Sequence, residues 1–300
     1  MQAIELKPGI HWVGAIDWSL TSFHGYLTQR GSTYNAYLVV DAKVALIDTV
    51  KHRCFGEMID RIRSVIDPAR IDYIVANHAE MDHSGSLPEM VKLASRAEVI
   101  VSAAGEKALR QHFAVPLPYR AVTAGATISL GKRTLAFTPI PMVHWPDSMV
   151  TWCPEERILF SNDAFGQHLA TAERFDDEVP GDILMEEARK YYANIVMPYD
   201  APVRKALEAL AGLPVAMIAP SHGVVWRTRR PAIMEAYGRW SANTTRRKAT
   251  IVYATMWGST AAMAAAIASA CQRHGLPARV FDLEATHISD VMTDIIESRF

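Results

Sequence analysis

Apolar and polar residues alternate with two different periods along the first 245 residues, and the change of period predicts where strands give way to helices. Short apolar runs bounded by Gly, Pro, Asn or Asp predict strands, whereas apolar residues three or four positions apart predict helices. The runs Tyr37–Val40 and Val44–Asp48, three residues apart, predict a hairpin. Further strands are predicted at 71–76, 98–102, 127–130, 133–138, 149–152, 157–161 and 215–219, and helices at 55–66, 87–94, 183–194 and 202–212.

This mixture of strands and helices predicts an α/β sandwich, in which two sheets pack together and helices cover them. The polar and basic stretch 241–248 has no apolar period and predicts a linker. After it, the pattern predicts a strand, an Ala-rich helix, a second strand and the start of another helix, at 249–254, 261–274, 278–283 and 288–297. We therefore expect one domain over residues 1–245 and a second over 246–300.

The composition argues against several classes of protein. The net charge is −1, which provides no electrostatic reason to bind nucleic acid or an acidic membrane surface. No apolar stretch approaches the roughly 18 residues that span a bilayer, and Met1–Pro8 lacks the features of a signal peptide. Cys54, Cys153 and Cys271 are far apart and form no CxxC pair, which argues against disulfides, structural zinc and iron–sulfur clusters. A reducing cytoplasm is the expected compartment.

The densest chemical signal is His78-Ala-Glu80-Met-Asp82-His83, which directly follows a predicted strand. Imidazole nitrogen and carboxylate oxygen together suit a divalent metal of borderline softness. In an extended segment, residues two apart project to the same side, so His78, Glu80 and Asp82 are expected to converge. Asp82 and His83 are adjacent, point in different directions, and could serve a second metal.

Three further candidates, His144, Asp163 and His222, lie at predicted strand ends, where α/β folds place their chemistry. Each has a structural alternative when taken singly. His144 could pack beside Trp145, Asp163 could cap a turn, and His222 could hydrogen-bond within a loop. Together with the first cluster they provide four histidines and three carboxylates, which is enough for two metals that share one bridging carboxylate.

This order of ligands resembles that of the metallo-β-lactamase superfamily, whose zinc hydrolases usually have His at the position of Glu80. A Glu at this position, with Trp145 after the third histidine, is similar to the flavodiiron proteins, also called A-type flavoproteins. Other matching segments are Asp17-Trp18, Phe23–Tyr26, Tyr34–Tyr37 and Ala164–His168, so the resemblance extends over essentially the whole chain.

The resemblance implies a metallo-β-lactamase-like αββα sandwich that carries two irons. One iron would be held by His78, Glu80 and His144, the other by Asp82, His83 and His222, and Asp163 would bridge them. His24, His168 and Tyr192 would line the pocket, where they orient a bound diatomic molecule or supply protons to it. A third carboxylate, Glu80, adds hard oxygen donation and negative charge, which favour redox-active iron over zinc.

A second part of the resemblance lies at the loop Thr255-Met256-Trp257-Gly258-Ser259-Thr260, between a predicted strand and the Ala-rich helix. Hydroxyls and amides on such a loop can cradle a phosphate at the helix N-terminus. The loop resembles the FMN phosphate loop of flavodoxins, which form a five-stranded doubly wound sheet. Residues 246–300 have room for only two of those strands, so we expect an incomplete flavodoxin-like domain that binds FMN weakly or not at all.

Three functional hypotheses follow. The resemblance implies reduction of O2 to water, or of NO to N2O, with electrons that pass through FMN from rubredoxin or a similar carrier. It also implies a head-to-tail homodimer or a dimer of dimers. The alternatives are a binuclear zinc hydrolase, in which a bridging oxygen is the nucleophile, and a remnant that binds metal but has lost its electron supply. O2 and NO would use the same seven ligands, so the sequence does not distinguish between them.

Overall fold

The computed structural model describes the whole chain, from Met1 to Phe300, as strands and helices joined by short loops. The strands are β1 (Ile4–Lys7), β2 (Ile10–Trp12), β3 (Ala15–Asp17), β4 (Ser22–Phe23), β5 (Tyr26–Leu27), β6 (Ser32–Tyr34), β7 (Tyr37–Val40), β8 (Val44–Ile47), β9 (Tyr73–Ala76), β10 (Glu98–Ser102), β11 (Tyr119–Val122), β12 (Thr127–Ser129), β13 (Thr134–Pro139), β14 (Met149–Cys153), β15 (Ile158–Asn162), β16 (Met217–Pro220), β17 (Ala249–Tyr253) and β18 (Ala278–Asp282). The α-helices are α1 (Phe55–Arg63), α2 (Met81–Ser84), α3 (Leu87–Leu93), α4 (Ala103–His112), α5 (Gly181–Tyr191), α6 (Asp200–Leu210), α7 (Arg230–Ser241), α8 (Ser259–Arg273) and α9 (Ile288–Ile295). A π-helical turn, Tyr192–Val196, continues α5.

Two large sheets form the centre of the molecule. The first has the strand order β1-β2-β7-β8-β9-β10-β11, and its strands from β8 to β11 are parallel. The second has the order β12-β13-β14-β15-β16 and is antiparallel except for the pair β15 and β16. The short pairs β3–β6 and β4–β5 lie outside these sheets.

The alternation of side chains along each strand explains why the two sheets pack together. In β7, Tyr37 and Val39 point into an apolar layer shared with Phe137 and Phe160 of the second sheet. Leu38, between them in sequence, points to the opposite side and packs in a layer formed with the helices α1, α3 and α4. The second sheet has a similar outer layer with α5, α6 and α7. The order helix, sheet, sheet, helix is therefore the predicted αββα sandwich, and each fully buried aliphatic side chain contributes about 1.5–3 kcal/mol to it.

The sequence pattern located most of these elements and missed some. The predicted hairpin is confirmed as β7 and β8, and the predicted strand 98–102 is confirmed as β10. The prediction that a linker begins at residue 241 is wrong by one residue, because Ser241 is the last residue of α7. The helices α4 and α7 had not been predicted. In α4 only Gly105 and Leu109 are buried, so its apolar period is too weak to be read.

The last fifty residues form a smaller unit with its own sheet. The strands β17 and β18 pair in parallel, and α8 and α9 follow them in the predicted order. This unit contacts the sandwich through α9, where Lys190 Nζ lies 2.6 Å from Asp290 Oδ1 and the Asn194 amide donates to the Ser289 carbonyl at 3.1 Å. None of the helices combines the length and the apolar character needed to cross a bilayer.

Candidate metal centre

Three of the predicted ligands lie where strands end, as expected. His78 follows β9, Asp163 follows β15 and His222 follows β16. The strands β15 and β16 are parallel neighbours, so their carboxyl ends meet at one edge and bring Asp163 and His222 together. His144 lies in the loop between β13 and β14. The hydrogen bond from Met149 N to Asn77 O, 2.9 Å long, joins the end of β9 to the start of β14. The two sheets therefore bring all four segments to one place.

The expected convergence of His78, Glu80 and Asp82 is wrong for Asp82. Glu80 has an extended backbone, but the short helix α2 begins at the next residue and contains both Asp82 and His83. A helical turn replaces the two-residue alternation of a strand with a rotation of about 100° per residue. Asp82 is turned away from Glu80 for this reason and joins His83 and His222.

The seven predicted ligands form two groups. Within each group, atoms able to bind a metal lie within 4.8 Å of one another. The first group contains His78, Glu80, His144 and Asp163, and the second contains Asp82, His83 and His222.

Asp163 lies between the two groups and presents a different oxygen to each. Its Oδ2 is 3.3 Å from His144 Nε2 and 3.5 Å from His78 Nε2 in the first group. Its Oδ1 is 3.1 Å from His83 Nε2 and 3.5 Å from His222 Nε2 in the second group. This geometry suits a carboxylate that bridges two cations. The bridging role itself stays a prediction.

The donor atoms fit bound cations, because several of them are buried and make no hydrogen bond in the protein. The orphaned atoms are both oxygens of Asp82, both oxygens of Asp163, and the Nε2 atoms of His78 and His83. Unpaired carboxylate oxygens are costly to bury, and a metal ion offsets that cost. Three carboxylates and four imidazoles suit two divalent metals of borderline to hard character.

The electrostatics of the centre couple the carboxylates to the histidines. Burial alone would raise the pKa of Asp163, but His83, His144 and His78 together hold that pKa well below its ordinary value. Burial alone would lower the pKa of His83, yet Asp82 and Asp163 raise it to about 9. In the metal-free protein, a proton on His83 therefore takes the place of a cation.

Two of the histidines are oriented by groups that sequence reasoning missed. His78 Nδ1 donates to Asp147 Oδ2 at 2.9 Å, and the same oxygen accepts from Ala79 N at 2.6 Å. His222 Nδ1 donates to the Thr33 carbonyl at 2.7 Å. Each bond leaves Nε2 free to face the cluster, as expected for metal-binding histidines. Asp147 stands three residues after His144, and this closeness to a candidate ligand is the signal that could have identified it. A backbone carbonyl such as that of Thr33 gives no signal in the sequence, because every residue has one.

The predicted pocket histidines lie beside the ligands. His24 Nε2 is 3.2 Å from Glu80 Oε1, and about a quarter of its side chain is exposed to solvent. His168 is buried, with Nδ1 2.6 Å from Ser32 Oγ and its ring 4.7 Å from that of His222. Burial, followed by the charge of His222, lowers the pKa of His168 well below its ordinary value, so this imidazole is neutral.

The prediction that Tyr192 lines the pocket is wrong. Its ring packs on Tyr237 and Trp240, and its hydroxyl donates to Asp200 Oδ1 at 2.7 Å. The preceding residue, Tyr191, faces the centre instead, with its ring 5.1 Å from that of His168. Adjacent residues in a helix point about 100° apart, so only one of the two tyrosines can face the cluster.

The predicted phosphate loop, Thr255–Thr260, joins β17 to α8. Gly258 has a φ of +86° and donates its backbone N–H to Thr255 Oγ1 at 2.9 Å, which turns the chain into the helix. Met256 and Trp257 project outward and are 81% and 88% exposed. The loop therefore has the predicted position at the start of a 15-residue helix. Its role in binding FMN stays a prediction.

Comparison with known proteins agrees with this geometry. The family model described as ODP family beta lactamase matches residues 33–223, a range that includes all seven predicted ligands. A nitric oxide reductase of Moorella thermoacetica is 44% identical over 99% of this chain and 76% of that relative. The crystal structure of the flavodiiron protein from Giardia intestinalis has a TM-score of 0.95 and 36% identity, over 98% of this chain and 72% of that one. The chain belongs to the flavodiiron proteins.

A further flavodiiron relative extends the agreement. The rubredoxin oxygen:oxidoreductase of Desulfovibrio gigas has a TM-score of 0.96 and 42% identity, over 99% of this chain and 76% of that one. These alignments include β17, α8, β18 and α9 as well as the sandwich. The resemblance of both parts of the chain to flavodiiron proteins is thereby confirmed, and so is the metallo-β-lactamase-like fold.

Proposed function

We propose that this chain is an oxidoreductase that reduces O2 to water, NO to N2O, or both, at a non-haem di-iron centre. The observation that carries the proposal is the meeting of seven candidate ligands, six of them buried, with Asp163 between two groups of three. Relatives named nitric oxide reductase and rubredoxin-oxygen oxidoreductase, at 44% and 43% identity, support both substrates. Nothing in the ligand set favours one substrate over the other.

The residues present fit two irons. His78, Glu80 and His144 would hold one, Asp82, His83 and His222 the other, and Asp163 would bridge them. Bound iron supplies electrons to the substrate by cycling between the ferrous and ferric states. Glu80 distinguishes this set from the all-histidine first site of the zinc hydrolases, because it adds a third negative charge that stabilises the ferric state.

The protein groups around the cluster control solvent and protons. The rings of Trp145 and His78 are 5.1 Å apart, and the ring of Phe23 is 5.5 Å from that of His168, so apolar surfaces lie against the ligands. His24 lies beside Glu80 and is partly exposed, which suits it to carry protons between solvent and the cluster. Neutral His168, anchored by Ser32, is suited to orient the ligands beside it rather than to donate a proton.

We propose that residues 1–245 form the di-iron domain and that residues 246–300 form the first part of a flavodoxin-like FMN-binding domain. The separate sheet of β17 and β18 supports this division. Thr255–Thr260 would hold the FMN phosphate through hydroxyls and backbone amides at the start of α8. Electrons would come from rubredoxin or a similar carrier. A head-to-tail homodimer or a dimer of dimers would bring the flavin of one chain to the irons of the other.

Metal and flavin content of anaerobically purified protein tests the proposal. We expect two irons per chain, and rapid oxidation of the reduced protein by O2 or NO in stopped-flow mixing. Two zincs together with esterase or lactamase activity would instead identify a binuclear hydrolase. Two irons without flavin, and without turnover by reduced rubredoxin, would identify a centre that lacks its electron supply. Light scattering of the same sample measures the oligomeric state.

A further inference from the structure

The loop that carries His222 is held by the short segment Thr33–Tyr37, here called the clasp, which leads from β6 to the first residue of β7. Part of this segment, Tyr34–Tyr37, contributed to the family resemblance but has no role in the proposed chemistry. We propose that the clasp positions His222 and that its geometry depends on Asn35. The inference rests on the proposed function, in that a metal must bind at His222.

Asn35 uses all of its polar side-chain atoms to hold the loop. The indole N–H of Trp12 donates to Asn35 Oδ1 at 2.8 Å. The Asn35 amide nitrogen donates to the carbonyls of Pro220, at 2.8 Å, and Gly223, at 3.0 Å. An indole N–H can only donate and a carbonyl can only accept, so these partners fix which atom of the amide is oxygen and which is nitrogen. Aspartate at this position would place a carboxylate oxygen against two carbonyl oxygens.

Two further hydrogen bonds, one from the backbone and one from a side chain, join the clasp to the same loop. Asn35 N donates to the Ser221 carbonyl at 2.8 Å, and the Tyr37 hydroxyl donates to the Pro220 carbonyl at 2.6 Å. The Pro220 carbonyl therefore accepts from two residues of the clasp. These bonds fix the backbone on the N-terminal side of His222 to the clasp.

Trp12 is itself held in place, which makes it a firm support for Asn35. The indole is buried, and the guanidinium groups of Arg61 and Arg174 lie 4.8 Å and 4.4 Å from its ring centroid. Cations at these distances are attracted to the face of an indole, most strongly where water is excluded. The two arginines therefore hold Trp12, Trp12 holds Asn35, and Asn35 holds the loop of His222.

Thr33 completes the clasp and determines the tautomer of His222. Its hydroxyl accepts from Gly223 N at 2.7 Å, and its carbonyl accepts from His222 Nδ1 at 2.7 Å. A carbonyl cannot donate, so the proton stays on Nδ1 and Nε2 is free for a metal. On the other side of the loop, Gly223 has a φ of +81°, and a Cβ there would lie 1.5 Å from Gln167 Oε1. The loop therefore has little room to shift.

The clasp acts on one of the two metal positions. It contacts the loop of His222 in the second group, whereas His78 of the first group is oriented by Asp147 from a different loop. If the clasp loosens, the ion at Asp82, His83 and His222 should be lost first. Asn35 is thus a positioning residue that acts through His222.

The test is the release of cobalt(II) from doubly loaded protein into excess chelator, followed by visible absorbance and by metal analysis. His222→Ala and His144→Ala identify which phase of release belongs to which group of ligands. In Asn35→Asp the phase assigned to His222 should accelerate about 10–100-fold, the usual effect of losing an outer hydrogen bond at a metal site. The phase assigned to His144 should not change.

Two further sets of variants separate positioning from general damage. Asn194→Asp is the matched control, because the Asn194 amide also donates to two carbonyls, those of Lys190 and Ser289, away from the cluster; it should leave both phases unchanged. Thr33→Val removes the hydroxyl at similar volume and should accelerate the His222 phase, while Thr33→Ser should restore it. If Asn35→Asp does not fold, Thr33→Val and Thr33→Ser still test whether the clasp positions His222.

The outcomes distinguish the clasp from the proposed function. Wild-type protein that binds fewer than two cobalt ions would overturn the proposed function, and the clasp with it. Two ions in the wild type, with both phases or neither phase changed by Asn35→Asp and Thr33→Val, would overturn the clasp alone.

Discussion

The two metal-binding groups are built from similar ligands but are supported differently. In the first group His78 donates to a carboxylate, that of Asp147, whereas in the second group His222 donates to a backbone carbonyl, that of Thr33. A carboxylate partner brings a full negative charge, which makes the imidazole a stronger donor to the metal. A carbonyl brings only a dipole, whose position depends on how the backbone is packed. The first group should therefore respond to changes of charge, and the second to changes of geometry.

The largest effect is expected where the two groups are joined. Asp163→Ala removes the one side chain that faces both groups, so at least one metal should be lost and turnover should fall by more than the roughly 100-fold typical of an outer hydrogen bond. Metal analysis and O2 or NO consumption measure the two outcomes. If Asp163→Ala retains two irons, the carboxylate does not bridge them.

The next largest effect is expected from a change of charge that alters metal binding in the first group and not in the second. In Asp147→Asn the amide oxygen can still accept from His78 and Ala79, so the geometry is kept and only the charge is lost. We expect the affinity of the first group for metal to fall about tenfold, with the second group unaffected. The chelator-release assay reports both.

Asp67→Asn is a suitable control for that variant. Asp67 also accepts a backbone N–H, that of Ala69, but in an exposed turn away from the cluster. Faster release from the His222 group in Asp147→Asn would show that the two supports are not independent.

Removal of the metals should make stability depend on pH, because the pKa of His83 in the second group and that of His78 in the first group are both raised in the folded protein. The pKa of His83 in the folded, metal-free protein is raised to about 9, above the value near 6.5 of an unfolded chain. A raised pKa contributes stability that is full below about pH 6.5 and is lost as the pH rises through 9. The melting temperature of chelated protein should therefore fall between pH 7 and pH 9.5, by an amount on the order of 5 °C.

Asp82 supplies the control for this dependence on pH. It is one of the two carboxylates that raise the pKa of His83, so Asp82→Asn should reduce the fall in melting temperature. Chelated wild-type protein whose melting temperature is constant or rises over this range would contradict the assignment of the charge to His83.

The same comparison shows what a sequence can predict about such a centre. The seven candidate ligands were predicted because side chains able to bind a metal cluster shortly after predicted strands, and their role as ligands stays a prediction. The sandwich was predicted because strands such as β7 alternate with helices along the chain. The hydrogen-bond partner of His222 was not predicted, because it is the backbone carbonyl of Thr33 and every residue type has such a carbonyl. The place of Asp82 was wrong because one helical turn, α2, replaced an expected extended segment. Tyr192 was one residue, and so about 100°, away from the tyrosine that faces the centre.

That difference of one residue gives the prediction with the smallest effect. Tyr192→Phe removes the hydrogen bond to Asp200, worth about 1 kcal/mol, and should lower the melting temperature by roughly 2–4 °C while metal content and turnover stay unchanged. Tyr191→Phe is the matched variant on the other side of the helix. The ring of Tyr191 lies 5.1 Å from that of His168 and 5.9 Å from that of His222, and burial and the charge of Asp163 raise the pKa of Tyr191 well above its ordinary value. Turnover should therefore change in Tyr191→Phe and stay the same in Tyr192→Phe. The reverse result would support the original prediction that Tyr192 lines the pocket.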